Sequence, residues 1–445
     1  MAAKRSARVV GMFGFAKYPM NLGRQLRIPR GHVRDRGCRM DEGQRGAAWG
    51  ARLGRRALLR WAAVGGGVLL GACQAPAPSS APAAAPATPA ASSNTPATGA
   101  GAPADWERQW ADLIEGARRE GTVAFSGPPT PEVRSDVAGR FKERFGVEVE
   151  YLGGRRGDLL SRLRAERAAG LYTVDVVVGG AASMATEFYP EGLIDPVRPI
   201  LIHPEVTDPS HWKIGKLWFL DPDDAYALRL VNNVSPALAV NTTKVQPDEI
   251  KSVYDLLNPK YRGLMAQDDP TISGSGSNTA ASLQIKLGDD FIRRLYADQQ
   301  VAFTRDRRQL SDWLGRATYP IAIQPTPGDV LRPLQRDGFP IAVIPSLPDL
   351  PASITAGSGV AILLNRAPHP NAARLLINWL AMREGNEVYA RAEHSVPLRN
   401  DIEPTWVADY EIPQPGVEYF DTFDWEFSKS DRLPTIEKIK SWRGS

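Results

Sequence analysis

Cysteine is nearly absent from these 445 residues, which carry only Cys38 and Cys73. So few thiols exclude a disulfide-stapled scaffold and a thiolate-held metal site. Histidine is scarce as well. His203, His211, His369 and His394 are scattered, without the spacing of metal ligands, and no metal or other cofactor is expected. The apolar run Ala57–Ala72 has 16 residues and is interrupted by Arg60. A spanning helix needs roughly 20 apolar residues, so this run falls short. The common catalytic signatures are also missing. There is no G-x-S-x-G elbow, no H-E-x-x-H and no Walker loop. "GSGSNT" holds two glycines of a dinucleotide fingerprint, but Thr279 stands where the third belongs. No enzymatic activity is therefore expected, and a lipid-anchored extracytoplasmic hydrolase is the alternative reading.

The front of the chain reads as an address. A basic stretch, a short apolar run and small residues before a cleavage point have the make-up of a secretory signal. Leu70-Gly71-Ala72-Cys73 resembles the lipobox of bacterial lipoproteins. The resemblance implies lipidation of Cys73 and anchoring on the outer face of the cytoplasmic membrane, since two acyl chains hold a protein stably. Arg55-Arg56 resembles a twin-arginine export signal. Residues 1–73 thus form the export segment, and Met40 makes the first ~39 residues read as an over-extended start. Residues 74–104 are almost wholly Ala, Pro, Ser, Thr and Gly, a composition that cannot bury a core. At roughly 3 Å per residue, this tether reaches up to about 90 Å.

Charge changes meaning once this segment is set aside. Residues 1–73 hold 15 Lys+Arg against 3 Asp+Glu, a net of +12, while the whole chain is +4. The remainder is therefore near −8, and nucleic-acid binding is not expected.

From Asp105 onward the chain alternates helix and strand. Trp106, Trp110, Leu113, Ile114 and Ala117 recur at helical spacing before Gly121. "TVAF" reads as a strand. Val133, Val137, Phe141 and Phe145 mark a second helix ending at Gly146. A strand through Val147, Val149 and Tyr151 follows. A third helix, capped by Asp158, leads into the buried strand "YTVDVVV". Such alternation implies a parallel sheet covered by helices.

The loops after these strands are candidate binding loops, because open α/β sheets hold ligands at the strands' carboxyl edge and helix N-termini suit anions. They carry Ser126 and Gly127, then Gly154, Arg155 and Arg156, then Gly180. A second stretch supplies Thr271, Ser273, Ser275 and Ser277 before a helix bearing Ala280, Leu283 and Leu287. It also supplies Arg305, Arg307 and Arg308 in "FTRDRRQ", and Gln324 after the strand "YPIAI", which Tyr319 precedes. Arginine can grip a carboxylate or phosphate with two bonds, and the hydroxyls can donate to a solute or cap helices. "APHPNAARLLINWLAMREG" reads as one helix ending near Gly385. The aromatic, acidic tail after Asp401 has no assigned role.

In order and spacing, "EGTVAFSG", "FKERFGVEVEYLGG", "LRAERAAGLYTVDVVVGG", "YPEGLIDP", "ALAVNTTKV", "YDLLNPKYRGLMAQDDPTISGSGS" and "NRAPHPNAARLLINWLAMREG" resemble the extracellular solute-binding proteins of ABC importers. The likeness is to the two-lobed class of ferric-iron, thiamine and polyamine binders, and it covers nearly all of residues 105–400. It implies a type II periplasmic-binding-protein fold: α/β, two lobes, two hinge crossover strands and a cleft between. Lobe 1 would span 105–237 and 359–445, and lobe 2 would span 238–358. Leu238–Asn241 and Gly359–Leu364 would be the crossovers. The implied partners are a small polar or anionic solute or metal chelate, and an ABC permease. A monomer is expected. Ferric binders of the class place two adjacent tyrosines after the strand that reads "YPIAI" here. This chain has Gln324-Pro325-Thr326 instead, so iron would need non-tyrosine ligands.

Overall fold

The apolar spacing at the start of the folded part produces the helix Asp105–Glu120 in the computed structural model, which describes residues 105–154, 156–350 and 352–443. Its charges suit the helix dipole, with Asp105 and Glu107 in the first turn and Arg118 and Arg119 in the last. Gly121, at φ +77°, ends the helix and turns the chain into β1 (Thr122–Gly127). The helix Ala138–Phe145 stops the same way at Gly146.

Five strands of the early chain follow one another: β1, β2 (Glu148–Gly153), β3 (Val176–Gly179), β4 (Ile194–Asp195) and β5 (Leu228–Arg229). β6 (Asn233–Ser235) precedes β7 (Leu238–Asn241), β8 (Met265–Asp268), β9 (Ala302–Thr304), β10 (Ile321–Ile323) and β11 (Ile341–Ile344). β12 (Ser353–Thr355), β13 (Val360–Leu364) and β14 (Phe420–Asp421) complete the set. The first sheet has the order β2-β1-β3-β13-β4, with β5 beside β13. The second runs β11-β7-β10-β8-β9. Each sheet is covered by helices and has its own core. Phe125, Phe141, Trp379 and Tyr389 fill the first, and Leu238, Met265, Leu283 and Ile321 fill the second.

The expected strand "YTVDVVV" is shortened to Val176–Gly179, but the Asp175 backbone still donates to the Ala124 carbonyl and accepts from the Leu364 amide, both at 2.9 Å, while its side chain has a further task. Its carboxylate is fully buried. It accepts from the Ala124 amide at 2.7 Å, the His369 amide at 2.7 Å and His369 Nδ1 at 2.8 Å. One side chain thus ties β1 to the start of the helix Pro370–Ala381. That helix does not run to Gly385 as its sequence suggested. It ends at Ala381, and a second helix, Arg383–Ala392, folds back on it. Gly385 lies inside the second helix, and glycine is needed there because a Cβ would come within 2.0 Å of the Trp379 carbonyl oxygen.

The crossovers also differ from expectation. β7 and the β13 strand are fully buried members of the second and first sheets, respectively. The chain passes between the lobes instead at β6 and β12, which pair antiparallel as Asn233↔Thr355, Val234↔Ile354 and Ser235↔Ser353. β14, from the tail, runs parallel to β12 as a third strand. The runs that the resemblance implies as crossovers are core strands, and the hinge itself is two short strands whose apolar centres, Val234 and Ile354, are buried between the polar residues Asn233, Ser235, Ser353 and Thr355.

Candidate functional site

The carboxyl ends of β1, β2 and β3 in one lobe, and of β8, β9 and β10 in the other, carry the loops singled out above. On the first lobe Ser126 is buried and its hydroxyl donates to the Leu152 carbonyl at 3.2 Å, so it is spent within the sheet. Gly127 is required by crowding: a Cβ there would lie 2.6 Å from the Tyr151 hydroxyl, which donates to the Pro128 carbonyl. Gly154 faces open space. Arg155 lies outside the described residues, as do the Arg156 side chain and Cys73. Gly180 precedes the short helix Ala181–Ser183 and its continuation Met184–Phe188, close to the Gly357 carbonyl.

The second lobe gathers more of the expected residues. The Thr271 amide and hydroxyl donate to Asp269 Oδ1 at 2.8 and 2.5 Å, and Arg305 Nε reaches Asp269 Oδ2 at 2.9 Å. Burial works against this carboxylate, but the Thr271 and Arg305 contacts prevail and hold it below the usual range. Ser275 opens the helix Ser275–Arg293, donates to Asp268 and accepts from Arg307 Nη2 at 3.1 Å. Arg307 also pairs with Asp268 at 3.4 Å and with Asp329. Burial opposes its charge, yet the two carboxylates outweigh that and raise its pKa. Ser277 is buried and closes the first turn, donating to the Gly274 carbonyl at 2.9 Å. Ser273 accepts from Arg432 Nη1 at 2.6 Å.

Gln324 marks where β10 meets the hinge. It is buried at φ +40°, uncommon for a residue with a Cβ, and its side-chain amide donates to Ser353 Oγ of β12 at 3.3 Å. Tyr319 belongs elsewhere. It precedes β10, at the edge away from Gln324, and packs edge-on against Trp313 with ring centroids 4.9 Å apart. Among the described residues, no group of three His, Cys, Asp or Glu is placed to hold a metal ion.

Two features escaped sequence reasoning. Thr130 donates to Glu393 Oε1 at 2.6 Å although 263 positions separate them. Burial raises the Glu393 carboxyl, the Thr130 bond and Arg307 pull it down, and Asp329 pushes it up. Asp329 and Arg307 are on the second lobe, so Glu393 lies within electrostatic reach across the gap. The second feature is the pairing of the arginines. Asp268 and Asp269 stand together in "AQDDPT", and that doublet was the available signal.

Residues 136–414 match the family described as bacterial extracellular solute-binding protein. Among solved structures, iron-bound HitA from Pseudomonas aeruginosa is similar, with a TM-score of 0.57 at 15% identity over 72% of this chain and 99% of that one. The ferric ion-binding protein A of Pasteurella haemolytica, in its apo form, gives 0.55 at 16%, over 73% and 98%. AfuA from Actinobacillus pleuropneumoniae, with fructose-6-phosphate bound, gives 0.53 at 18%, again over 73% and 98%. At such identities the likeness is one of fold. No curated protein matches the chain.

Proposed function

The chain belongs to the bacterial extracellular solute-binding protein family, and we propose that it captures a small polar solute between its lobes and hands it to an ABC permease. Lipid attachment at Cys73, the tether 74–104 and a monomeric state are part of this reading. The observation that carries it is the facing of two polar edges. Ser275, Arg307, Asp268 and Asp329 lie on one lobe, and Thr130 and Glu393 lie on the other. The β6–β12 pair is the axis about which such edges approach, and a solute that contacts both favours the closed state.

The charge pairing narrows the solute. Arg305 and Arg307 already hold carboxylates, so an anionic group must compete with Asp269 or Asp329. Asp329 is 55% exposed at its side chain and is the easier to displace. A neutral solute rich in hydroxyls, or a chelated cation, meets no such competition. A bare ferric ion finds Gln324-Pro325-Thr326 where the resemblance to ferric binders implies a pair of tyrosines.

Thermal-shift screening of organic acids, phosphate esters, polyamines, thiamine and ferric chelates tests the proposal. The expected result is one solute class that raises Tm without being consumed. Hydrolysis of a model ester or phosphate, abolished by one Ser or His substitution, would overturn it.

A further inference from the structure

The tail beyond residue 414, which lies past the family match, ties both lobes to the hinge. β14 adds its strand to β12, one of the two crossovers. Within β14, Asp421 accepts from Arg229 Nη1 at 2.8 Å. Phe423 is then buried in the first lobe with Met184, Phe188 and Val360. The helical turn Phe427–Asp431 lies against Ala181–Phe188 of that lobe. The chain next enters the helix Arg432–Arg443, which packs along Ser275–Arg293 of the second lobe. There Ile439 is fully buried in the second core, Thr435 bonds Gln284, and Lys438 pairs with Asp289 at 2.8 Å.

Arg432 stands where the tail changes lobes. It is 2% exposed, donates to Ser273 of the second lobe, and has Glu187 of the first lobe in electrostatic reach. Its Nε has no hydrogen-bond partner. A guanidinium so poorly paired is costly to keep from water, and the burial of Phe423 and Ile439 on either side holds it there. Relative rotation of the lobes stretches a chain anchored in both cores only 16 positions apart. Either the rotation is resisted or one anchor lets go.

We propose that residues 420–443 are a latch: with the terminal helix docked, the lobes keep the spacing seen here, and wide opening requires that helix to leave the second lobe. This goes beyond the solute-binding reading and holds whatever the solute is, so its test uses no ligand.

Pulsed electron-spin distance measurements report the interlobe distance. The full chain would have Cys38 and Cys73 changed to Ser and spin labels at Asp112→Cys and Asp298→Cys, both exposed positions. The parent should give a narrow distribution. Ile439→Asp, which places a charge in the second core, should replace it with a broad one at longer distance. Lys438→Glu sets two carboxylates against each other at an exposed pair, so it weakens docking without touching the core. It should populate the same longer distances in part, and tryptic cleavage at Lys440 should accelerate in both variants. An unchanged distribution in a folded variant whose helix trypsin now cleaves would overturn the latch. So would a parent that already samples the long distances.

Discussion

Asp421→Ala should be among the most damaging single substitutions in this protein. Arg229 is fully buried, and the Asp421 side chain beside it is only 9% exposed. The guanidinium also donates to Asn232 Oδ1 at 2.5 Å and lies over Trp218, with 4.1 Å to the ring centroid. Its Nε is already without a partner, so no spare hydrogen bond can replace the lost one. Removing one member of a buried pair costs about 3–5 kcal/mol, because the other charge stays desolvated and uncompensated. Asn232 and the Trp218 face still hold part of the charge, so the lower end, about 3 kcal/mol, is expected. With a urea m-value of about 3 kcal/mol/M, that loss lowers the unfolding midpoint by roughly 1 M at unchanged m. Replacing both partners, Arg229→Met with Asp421→Leu, should recover most of the loss, since apolar groups of similar volume need no counter-charge. A midpoint for Asp421→Ala within about 0.2 M of the parent would refute the reasoning, because a loss that small means Arg229 does not depend on its carboxylate.

Other outcomes follow from single contacts. Gly127→Ala places a methyl 2.6 Å from the Tyr151 hydroxyl and should cost about 1–3 kcal/mol by urea denaturation. Adding Tyr151→Phe removes the atom it strikes, so the double variant should be more stable than Gly127→Ala alone. Glu393 has a carboxyl raised chiefly by burial, so the folded state binds its proton more tightly than the unfolded chain does. The stability it contributes is complete below the ordinary Glu pKa and is lost as pH rises through the raised folded value. Glu393→Gln should therefore be more stable than the parent at neutral pH and show a flatter decline above about pH 4.5. Equal slopes of stability against pH in the two proteins would contradict the assignment.

Some of this was legible before any fold was known. Periodicity over Trp106–Ala117 and Phe141–Phe145, with glycine stops at Gly121 and Gly146, marked helices that are present. Those signals are local: a residue and its neighbours within one turn decide them. The loops at the strand ends were legible for the same reason. Their pairings were not. That Ser277 closes a helix turn while Ser275 joins Arg307 and Asp268 depends on which side of one turn each occupies, and both read alike as serine.

The amino-acid order alone determined the alternation of helix and strand, the two glycine-punctuated edges and the unusual composition of residues 1–104. Only the tertiary structure decided where the lobes join, which carboxylate each arginine meets, and that the last helix belongs with the second lobe. Arg229 and Asp421 are 192 positions apart, and Thr435 lies 151 positions from Gln284. Nothing in either neighbourhood marks the other. Such contacts form because burying apolar surface folds the chain into two cores, and each charge then pairs with whatever that folding has brought within reach.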